Sequence, residues 1–314
     1  MKKQKKLEKL IFNECSRYMG IPVSLSGGID SSLLVHFVKP RFVISVQLPG
    51  GKKYNEIKYS RKVAKWFGVK HIIIRPNKRN FNKYTKEAVK AIGRPIPHFN
   101  IYPLYCMFKK LNEMGETRLI TGDGPDETMC GYARNIMMKH LYFNMFNEHA
   151  FEGYGSMLGR VLKPFEEAYA EAIGKRKDVV KRIFDEEARK GKNAIDCMCK
   201  IDMEICRKDM DDMGDGIANY FGIKAIRPYQ DNKKVDNFMY NLSIEDKVTE
   251  FYGKYLLRKI AAKYLPKDIA WRKRKVGGPV YPVNKIKGWV KTDGEFGKTS
   301  WLNFQKDILN GEIK

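Results

Sequence analysis

The sequence lacks any run of about 18 consecutive apolar residues, the length that a helix needs to cross a bilayer. Its first six residues are mostly basic, but an amphipathic pattern follows them and not the apolar core of a signal peptide. The chain also shows no internal repeat and no low-complexity tract. We therefore expect a cytoplasmic protein with no membrane partner.

Cysteine and histidine are scarce and follow no metal-binding pattern. The six cysteines include no Cys-x-x-Cys pair, and the five histidines show no ligand spacing. Cys197, Cys199 and Cys206 lie near one another, but a fourth ligand at zinc-like spacing is missing. Because their stretch is apolar and helical in pattern, we predict that they are buried free thiols.

Acidic residues are few relative to basic ones. The 314 residues include 60 Lys and Arg against 36 Asp and Glu, which gives a formal net charge of +24. A positive field attracts polyanions, so nucleic acid is one candidate partner. A lysine-rich composition is the other explanation, because the lysines are spread along the chain without a basic patch interleaved with aromatic residues. With 43% hydrophobic residues, the chain can bury a core of one large or two modest domains.

The stretch 23–32 carries the strongest chemical signal. A short β-prone run breaks into two glycines flanked by serines, and an apolar run follows, which predicts a strand, a tight loop and a helix. Loop glycines let backbone N–H groups approach a phosphate closely at the start of a helix. An aspartate there would hold the Mg²⁺ that accompanies a polyphosphate. The residues predicted to bind phosphate are Ser26, Gly27, Gly28, Asp30, Ser31 and Ser32.

A second cluster follows a predicted strand at 119–121. Three carboxylates, those of Asp123, Asp126 and Glu127, fall within five positions. Their repulsion is relieved if a cation lies among them, or if one of them accepts a proton. Taken alone, the cluster favours a solvated acidic turn.

Together the two motifs resemble a known family. The first is similar to the Ser-Gly-Gly-x-Asp-Ser loop of PP-loop ATP pyrophosphatases, which split ATP between the α and β phosphates. The second resembles the Ser-Gly-Glu-Gly-x-Asp-Glu-x-x-x-Gly-Tyr signature of asparagine synthetase synthetase domains. Here Thr121 replaces the serine and Asp123 replaces the first glutamate, while Gly131 and Tyr132 match.

Two looser similarities extend the resemblance toward the C-terminus. Residues 254–258 are similar to the family's Lys-x-x-Leu-Arg, and a basic segment follows. The resemblance implies that a lysine in that segment neutralises departing pyrophosphate; Lys275 fits best, with Lys273 and Arg274 as rivals. Residues 221–231 resemble Glu-x-Arg-x-Pro-Phe-Leu-Asp, with Arg227 offset by one position and Lys224 near the usual glutamate.

The resemblance implies an ATP-dependent ligase that adenylates a carboxylate, with aspartate as one candidate, and transfers ammonia or an amine with release of AMP. It implies ATP and Mg²⁺ as cofactors, with the metal between Asp30 and Asp126. Asp123 or Glu127 would take a proton from the amine. The residues expected around the nucleotide, mostly through their backbone, are Leu25, Val46, Thr121 and Gly122, and those expected around the carboxylate are Pro95, His98, Asn100 and Arg227.

Glutamine-dependent asparagine synthetases carry a cysteine nucleophile directly after the initiator methionine, whereas this chain has Lys2 there. We therefore expect no glutaminase domain, and nitrogen from free ammonia, an amine or a separate glutaminase chain. Two other hypotheses stay open. One is a PP-loop enzyme that modifies tRNA or a DNA base; a thiolase of this kind would need reactive cysteines such as Cys106 and Cys130. The other is a non-catalytic partner that retains the nucleotide-binding fold.

The layout of the chain predicts an α/β fold with a parallel sheet, helices on both faces and a helical lobe, like that of PP-loop and adenine nucleotide α-hydrolase proteins. Strands are predicted at 23–26, 42–48, 71–75, 119–121 and 224–227, and helices at 56–67, 84–92, 102–114, 164–173 and 179–192. We expect an ATP-binding core at 1–134, the helical lobe at 135–215 and a C-terminal helical part at 216–314 that completes the domain.

Overall fold

A computed structural model describes residues 2–47, 56–139, 167, 169–170, 173, 175–273 and 298–313. Its centre is a parallel sheet of five strands: β1 (Val23–Ser24), β2 (Phe42–Val46), β3 (Lys70–Ile74), β4 (Arg118–Ile120) and β5 (Lys224–Ile226). The strand order is β3-β2-β1-β4-β5. The chain therefore reverses its direction of growth between β1 and β4. Open parallel sheets bind ligands at the carboxyl ends of the strands beside such a reversal.

Helices surround the sheet. In the first half of the chain they are α1 (Lys2–Cys15), α2 (Ile29–Val38), α3 (Ile57–Trp66), α4 (Phe81–Ile92), α5 (Ile101–Glu113), α6 (Pro125–Thr128) and α7 (Ala133–Lys139). In the second half they are α8 (Lys177–Arg189), α9 (Ala194–Ile201), α10 (Arg207–Tyr220), α11 (Lys233–Tyr240), α12 (Ile244–Lys247), α13 (Tyr255–Ala261), α14 (Lys267–Ala270) and α15 (Lys298–Leu309). A π-helical turn, Asp202–Cys206, joins α9 to α10. Within the described residues, no helix is long and apolar enough to span a membrane.

Alternating side chains of the strands supply two cores. Val43 of β2 packs with α1, α2 and α13 on one face, whereas Phe42 and Ile44 pack with α4, α5 and α10 on the other. Leu119 and Ile120 of β4 divide in the same way. Both faces of a parallel sheet are buried by crossover helices, so apolar side chains of one strand are required on both faces. A third cluster, which includes Cys130 and Met198, joins the acidic motif to α8 and α9.

The predicted α/β architecture is confirmed, and all five predicted strands exist, with ends that shift by at most two residues. The predicted helices at 56–67, 84–92, 102–114 and 179–192 correspond to α3, α4, α5 and α8, while most of 164–173 lies outside the described residues. Gly68 ends α3 with φ +62°, the left-handed conformation that favours glycine. The division of the chain into three parts at 134 and 215 stays a prediction.

Candidate active site

The glycine-serine loop connects β1 to α2, and hydrogen bonds to the hydroxyls of Ser26 and Ser31 stabilise it. The Ser31 Oγ accepts a hydrogen bond from the Ser26 N–H at 3.2 Å and lies 3.0 Å from the Ser26 Oγ. The Gly28 N–H donates to the Ser26 Oγ at 3.1 Å. Gly27 has φ +77°, and a Cβ there would lie 2.5 Å from the backbone nitrogen of Ser60 in α3. The loop therefore needs glycine both for its backbone conformation and for its close packing on the next helix.

Helix α2 begins at this loop and directs its amino end to the carboxyl edge of the sheet. Asp30 and Ser31 in its first turn are each 5% exposed, and Ser32 is fully buried. The Tyr229 hydroxyl donates to the Asp30 carbonyl at 3.0 Å, so the segment after β5 holds this turn in place. An N-terminal helical turn with free N–H groups and hydroxyls is suited to a polyphosphate.

The acidic motif lies directly beside this turn. A Cβ on Gly122 would meet the backbone nitrogen of Ser31 at 2.8 Å, so only glycine permits this approach of β4 to α2. The Thr121 N–H donates to the Ile226 carbonyl at 2.9 Å, and its hydroxyl donates to an Asp123 carboxylate oxygen at 2.6 Å. The structure thus brings the two predicted motifs together at one edge of the sheet.

A lysine that sequence reasoning left out of the site joins the two motifs. The Lys254 Nζ lies 2.6 Å from Asp30 Oδ2 and 2.6 Å from Asp126 Oδ1. The lysine side chain is 3% exposed, and those of Asp30 and Asp126 are 7% and 17% exposed. A buried carboxylate and a half-buried one therefore face one point, at which this ammonium balances part of their charge.

Lys254 is held there by its own left-handed backbone conformation and by the close packing of two glycines, Gly131 and Gly253. Lys254 itself has φ +57°, and its N–H donates to the Met129 carbonyl at 2.8 Å. A Cβ on Gly253 would lie 1.8 Å from the Cys130 carbonyl oxygen, and one on Gly131 would lie 2.1 Å from both Asp126 Oδ1 and Lys254 Cε. The Gly131 of the family signature is therefore required because the segment that contains it packs directly against residues 253–254. The Lys-x-x-Leu-Arg pattern was the sequence signal for Lys254.

Basic side chains line the cleft around Gly28, Asp30 and Lys254: Arg258, Arg272 and Lys273. Arg258 donates to the Gly253 and Ala270 carbonyls, at 2.9 and 2.8 Å, and burial lowers the pKa of its guanidinium. Lys273 is exposed, while the predicted Lys275 and its rival Arg274 lie outside the described residues. Arg272 pairs with Glu56 at 2.7 Å, so part of the positive charge that lines the cleft is already neutralised by the protein.

The two candidate bases have different environments. The Asp123 side chain is 45% exposed, at the mouth of the site. Glu127 is 5% exposed and accepts a hydrogen bond from the Tyr132 hydroxyl. Burial, reinforced by the Asp126 carboxylate, raises the pKa of Glu127 to about 8. Glu127 is therefore mostly protonated at neutral pH, whereas Asp123 is the carboxylate that a substrate can reach.

The structure gives the positions of the other predicted residues, and their part in the site stays a prediction. Leu25 is buried, and its N–H donates to the Ile44 carbonyl at 2.8 Å; Val46 ends β2 on the neighbouring strand. The carboxylate-pocket candidates Pro95, His98 and Asn100 lie between α4 and α5. There the Trp301 Nε1 of α15 donates to the His98 carbonyl at 3.0 Å.

The cysteines are free thiols, as predicted, with Cys197 and Cys199 buried and Cys206 half-buried. Burial raises the pKa of Cys106 to about 12, and a hydrogen bond with Cys199 together with burial raises that of Cys130 well above its usual range. Both shifts disfavour the thiolate that a thiolase reaction needs.

The oxygen atoms present fit a magnesium ion. Mg²⁺ is held by one or two carboxylates together with substrate phosphates and water. Asp30 and Asp126 provide two carboxylates that converge on the Lys254 ammonium next to the phosphate loop, so a metal at that point would have to displace this ammonium. Among the described residues there is no cluster of three or more His, Cys, Asp or Glu side chains, so a metal there would also need ligands from ATP.

Comparison with known proteins agrees with this geometry. A family model described as asparagine synthase matches residues 20–295, which include both motifs and the segment that carries Lys254. The chain belongs to the asparagine synthase family. Within this family assignment, Thr121 and Asp123 are departures from the signature, and the structure joins them by a direct hydrogen bond.

Individual members of the asparagine synthase family are distant from this chain. Asparagine synthetase B [glutamine-hydrolyzing] of Escherichia coli is 23% identical over 80% of this chain and 40% of its own length. Asparagine synthetase [glutamine-hydrolyzing] 2 of rice is 22% identical over 93% of this chain and 55% of its own. A putative asparagine synthetase of Methanocaldococcus jannaschii is 22% identical over 86% and 49%. The chain thus spans about half the length of these relatives.

Proposed function

We propose that this protein is an ATP-dependent, amide-forming ligase that activates a substrate carboxylate as an acyl-adenylate. The observation that carries the proposal is the convergence of Asp30, Asp126 and Lys254 beside the glycine-serine loop. A buried pair of carboxylates next to a phosphate-binding turn is suited to a metal-polyphosphate. The family membership supports the same chemistry, and aspartate is the first carboxylate to test.

In the first half-reaction, the substrate carboxylate attacks the α phosphorus of ATP, and the bond to the bridging oxygen breaks to release pyrophosphate. The serine hydroxyls and the α2 N–H groups bind the phosphates and orient them. Lys254, Arg258 and Arg272 neutralise the charge that develops on the leaving group. Asp30 and Asp126 would hold Mg²⁺, which would supply further neutralisation of phosphate charge.

In the second half-reaction, ammonia or an amine attacks the activated acyl carbon, and the bond to AMP breaks. A proton must leave the nitrogen as the amide forms. Asp123 is our candidate acceptor because it is partly exposed and directly follows the Gly122 contact with the phosphate loop. Lys275 stays a predicted contributor to pyrophosphate release.

Isotope exchange between ATP and pyrophosphate tests the first half-reaction directly. We expect exchange that requires a carboxylate, scanned from aspartate onward, and that falls at least about 100-fold in Asp126→Ala. Asp178→Ala is the matched control, since this aspartate forms an exposed pair with Arg176. Unchanged exchange in Asp126→Ala would refute the assignment of that carboxylate. Exchange that appears only with RNA or DNA would favour the nucleic-acid-modifying alternative and give the +24 charge a function.

A further inference from the structure

Two large aromatic side chains are exposed on the same surface of the protein. Trp66, at the end of α3, is 59% exposed, and Phe12 of α1 is 51% exposed. The half-buried Tyr264, which follows α13, lies between them: its carbonyl accepts a hydrogen bond from the Trp66 Nε1 at 2.9 Å. The Phe37 ring lies 5.7 Å from that of Tyr264 and 6.1 Å from that of Phe12, measured between centroids. We call these four residues the aromatic surface.

The rings of the aromatic surface are held in place although two of them are exposed. The Trp66 hydrogen bond sets the orientation of the indole, and His36 stacks on the Tyr264 ring at a centroid distance of 3.9 Å. A ring that is already ordered loses little conformational entropy when a flat ligand stacks on it. Contiguous exposed apolar surface marks interaction sites in soluble proteins.

Lysines without an acidic partner surround the aromatic surface. Lys5 and Lys9 lie on the same face of α1 as Phe12, seven and three residues before it. Burial lowers the pKa of His36, and the nearby Lys39 ammonium adds to the decrease. These three lysines are exposed, and within the described part of the chain they form no ion pair.

Carboxylates beside the aromatic surface neutralise only part of the positive charge. Glu8 pairs with Lys263 at 2.5 Å. Asp268 pairs with Lys62 at 2.7 Å. Together with the three unpaired lysines, five lysines therefore meet two carboxylates, a formal local charge of +3. An anionic partner is electrostatically complementary to this surface.

The aromatic surface lies away from the candidate active site. The phosphate loop leads into the first turn of α2, whereas Phe37 and Lys39 are at the other end of this ten-residue helix, about 15 Å away. Trp66 is likewise at the end of α3, while Glu56, just before its start, pairs with Arg272 of the cleft. The surface is therefore placed to bind a partner outside the site of the reaction.

Lipid and a second copy of the chain fit this surface less well than nucleic acid does. Leu7 and Ile11 of α1 are buried in the core, so this basic helix has no apolar face left to insert into a bilayer. A second copy of a chain with net charge +24 would bring like charges together. A single strand of nucleic acid supplies phosphates for the lysines and unstacked bases for the rings.

We propose that the aromatic surface and its lysines bind a single-stranded nucleic acid. Unpaired bases would stack on Trp66 and Phe12, and the phosphates between them would lie against Lys9 and Lys39. The sequence shows no basic segment interleaved with aromatic residues because α1, α2, α3 and the segment after α13 supply the surface jointly. This partner would use part of the +24 charge, and its binding does not depend on the proposed ligase reaction.

Fluorescence anisotropy with a labelled oligothymidine of about 15 nucleotides tests the binding. We expect saturable binding that weakens at least about fivefold in Trp66→Leu and in Phe12→Leu, because each variant loses one stacked base. Trp66→Phe retains an aromatic ring and should bind within about twofold of the wild type. An oligouridine of the same length identifies the strand as DNA or RNA, and tighter binding of either one supports the surface.

Tyr220→Leu is the matched control for the aromatic variants. Tyr220 is 54% exposed at the end of α10, outside the aromatic surface, so this variant should bind as the wild type does. Circular dichroism of each variant separates lost binding from lost folding.

The salt dependence of the affinity tests the lysines. Lys9→Gln should make the slope of log affinity against log salt less steep by about 0.7, the value for one phosphate contact on a single strand. Lys208→Gln is the matched control, since this exposed lysine of α10 already pairs with Asp212. Equal slopes in the two variants would overturn the assignment of phosphate contacts to this surface.

Three other results would overturn the inference. The first is equal affinity of the wild type and of folded Trp66→Leu and Phe12→Leu for oligothymidine. The second is competition by a duplex as strong as that by the unlabelled single strand, which would indicate general attraction to a basic protein. The third is binding to phosphatidylserine vesicles, or dimerisation, that depends on Trp66 while oligothymidine does not bind; this result would assign the surface to a membrane or to a second copy.

Discussion

Replacement of Lys254 by methionine removes the ammonium that lies between Asp30 and Asp126 but retains a side chain of similar length. Both carboxylates are mostly buried, so they would face each other without this cation. Removal of one partner from a buried ion pair costs about 3–5 kcal/mol, because the remaining charge is left uncompensated. For a domain of this size we expect a fall in the melting temperature of roughly 5–15 °C.

Mg²⁺ should rescue this variant more than it stabilises the wild type. In the wild type the metal must compete with Lys254 for the same two carboxylates, whereas in Lys254→Met their shared position is open. A ligand at about 100 times its dissociation constant stabilises a protein by about 2.7 kcal/mol. The metal-dependent gain in melting temperature should therefore be larger in Lys254→Met.

Calorimetry with 0 and 10 mM MgCl₂ measures both effects, and Lys62→Met is the matched control. Lys62 pairs with Asp268 at 2.7 Å, but the two side chains are 47% and 58% exposed. Loss of such a surface pair costs less than about 1 kcal/mol. If Lys254→Met melted within about 2 °C of Lys62→Met, or gained no more from Mg²⁺ than the wild type, the view of Lys254 as an internal counterion would be wrong.

Two further predictions concern the acidic motif and its contact with residue 253. The pKa of Glu127 is raised from 4.5 to about 8, so folding retains a proton that the unfolded chain releases. This contribution to stability is complete below about pH 4.5 and is lost as the pH rises to about 8. We therefore expect the stability of wild type relative to Glu127→Gln to fall by on the order of 1 kcal/mol per pH unit over that interval in urea titrations, and a pH-independent difference would contradict the raised pKa. Gly253→Ala places a Cβ 1.8 Å from the Cys130 carbonyl oxygen and should lower the free energy of unfolding by more than about 2 kcal/mol in the same assay. Gly68→Ala is the control: nothing lies within 4 Å of its Cβ, so it should lose only about 1 kcal/mol through backbone strain. Equal losses in the two variants would refute the steric argument.

Local patterns in the sequence were sufficient for the sheet and for the two motifs. Strand, loop and helix over 23–38 follow from apolar runs and from paired glycines, which act within a few residues of one another. Both motifs follow predicted strands, and parallel strands have their carboxyl ends at the same edge of the sheet. The sequence therefore predicted that the two motifs meet at that edge. The ends of elements were less accurate, since tertiary packing decides where each strand stops pairing.

The roles of individual charged residues were decided by tertiary structure. Lys254 is 224 positions from Asp30, and no local periodicity links them; the contact exists because Gly253 and Gly131 permit two segments to pack together. Glu127 and Asp123 look alike in sequence, but Glu127 is buried, whereas the Asp123 side chain is 45% exposed.

By itself, the sequence determined the α/β class, the phosphate loop and the family resemblance, because each depends on residue types at short spacing. Only the tertiary structure decided which cation meets Asp30 and Asp126, and which exposed aromatic rings share one surface with unpaired lysines. The physical reason is that Coulomb interactions and burial depend on distances in space. Those distances are set when helices far apart in the chain pack on a common sheet.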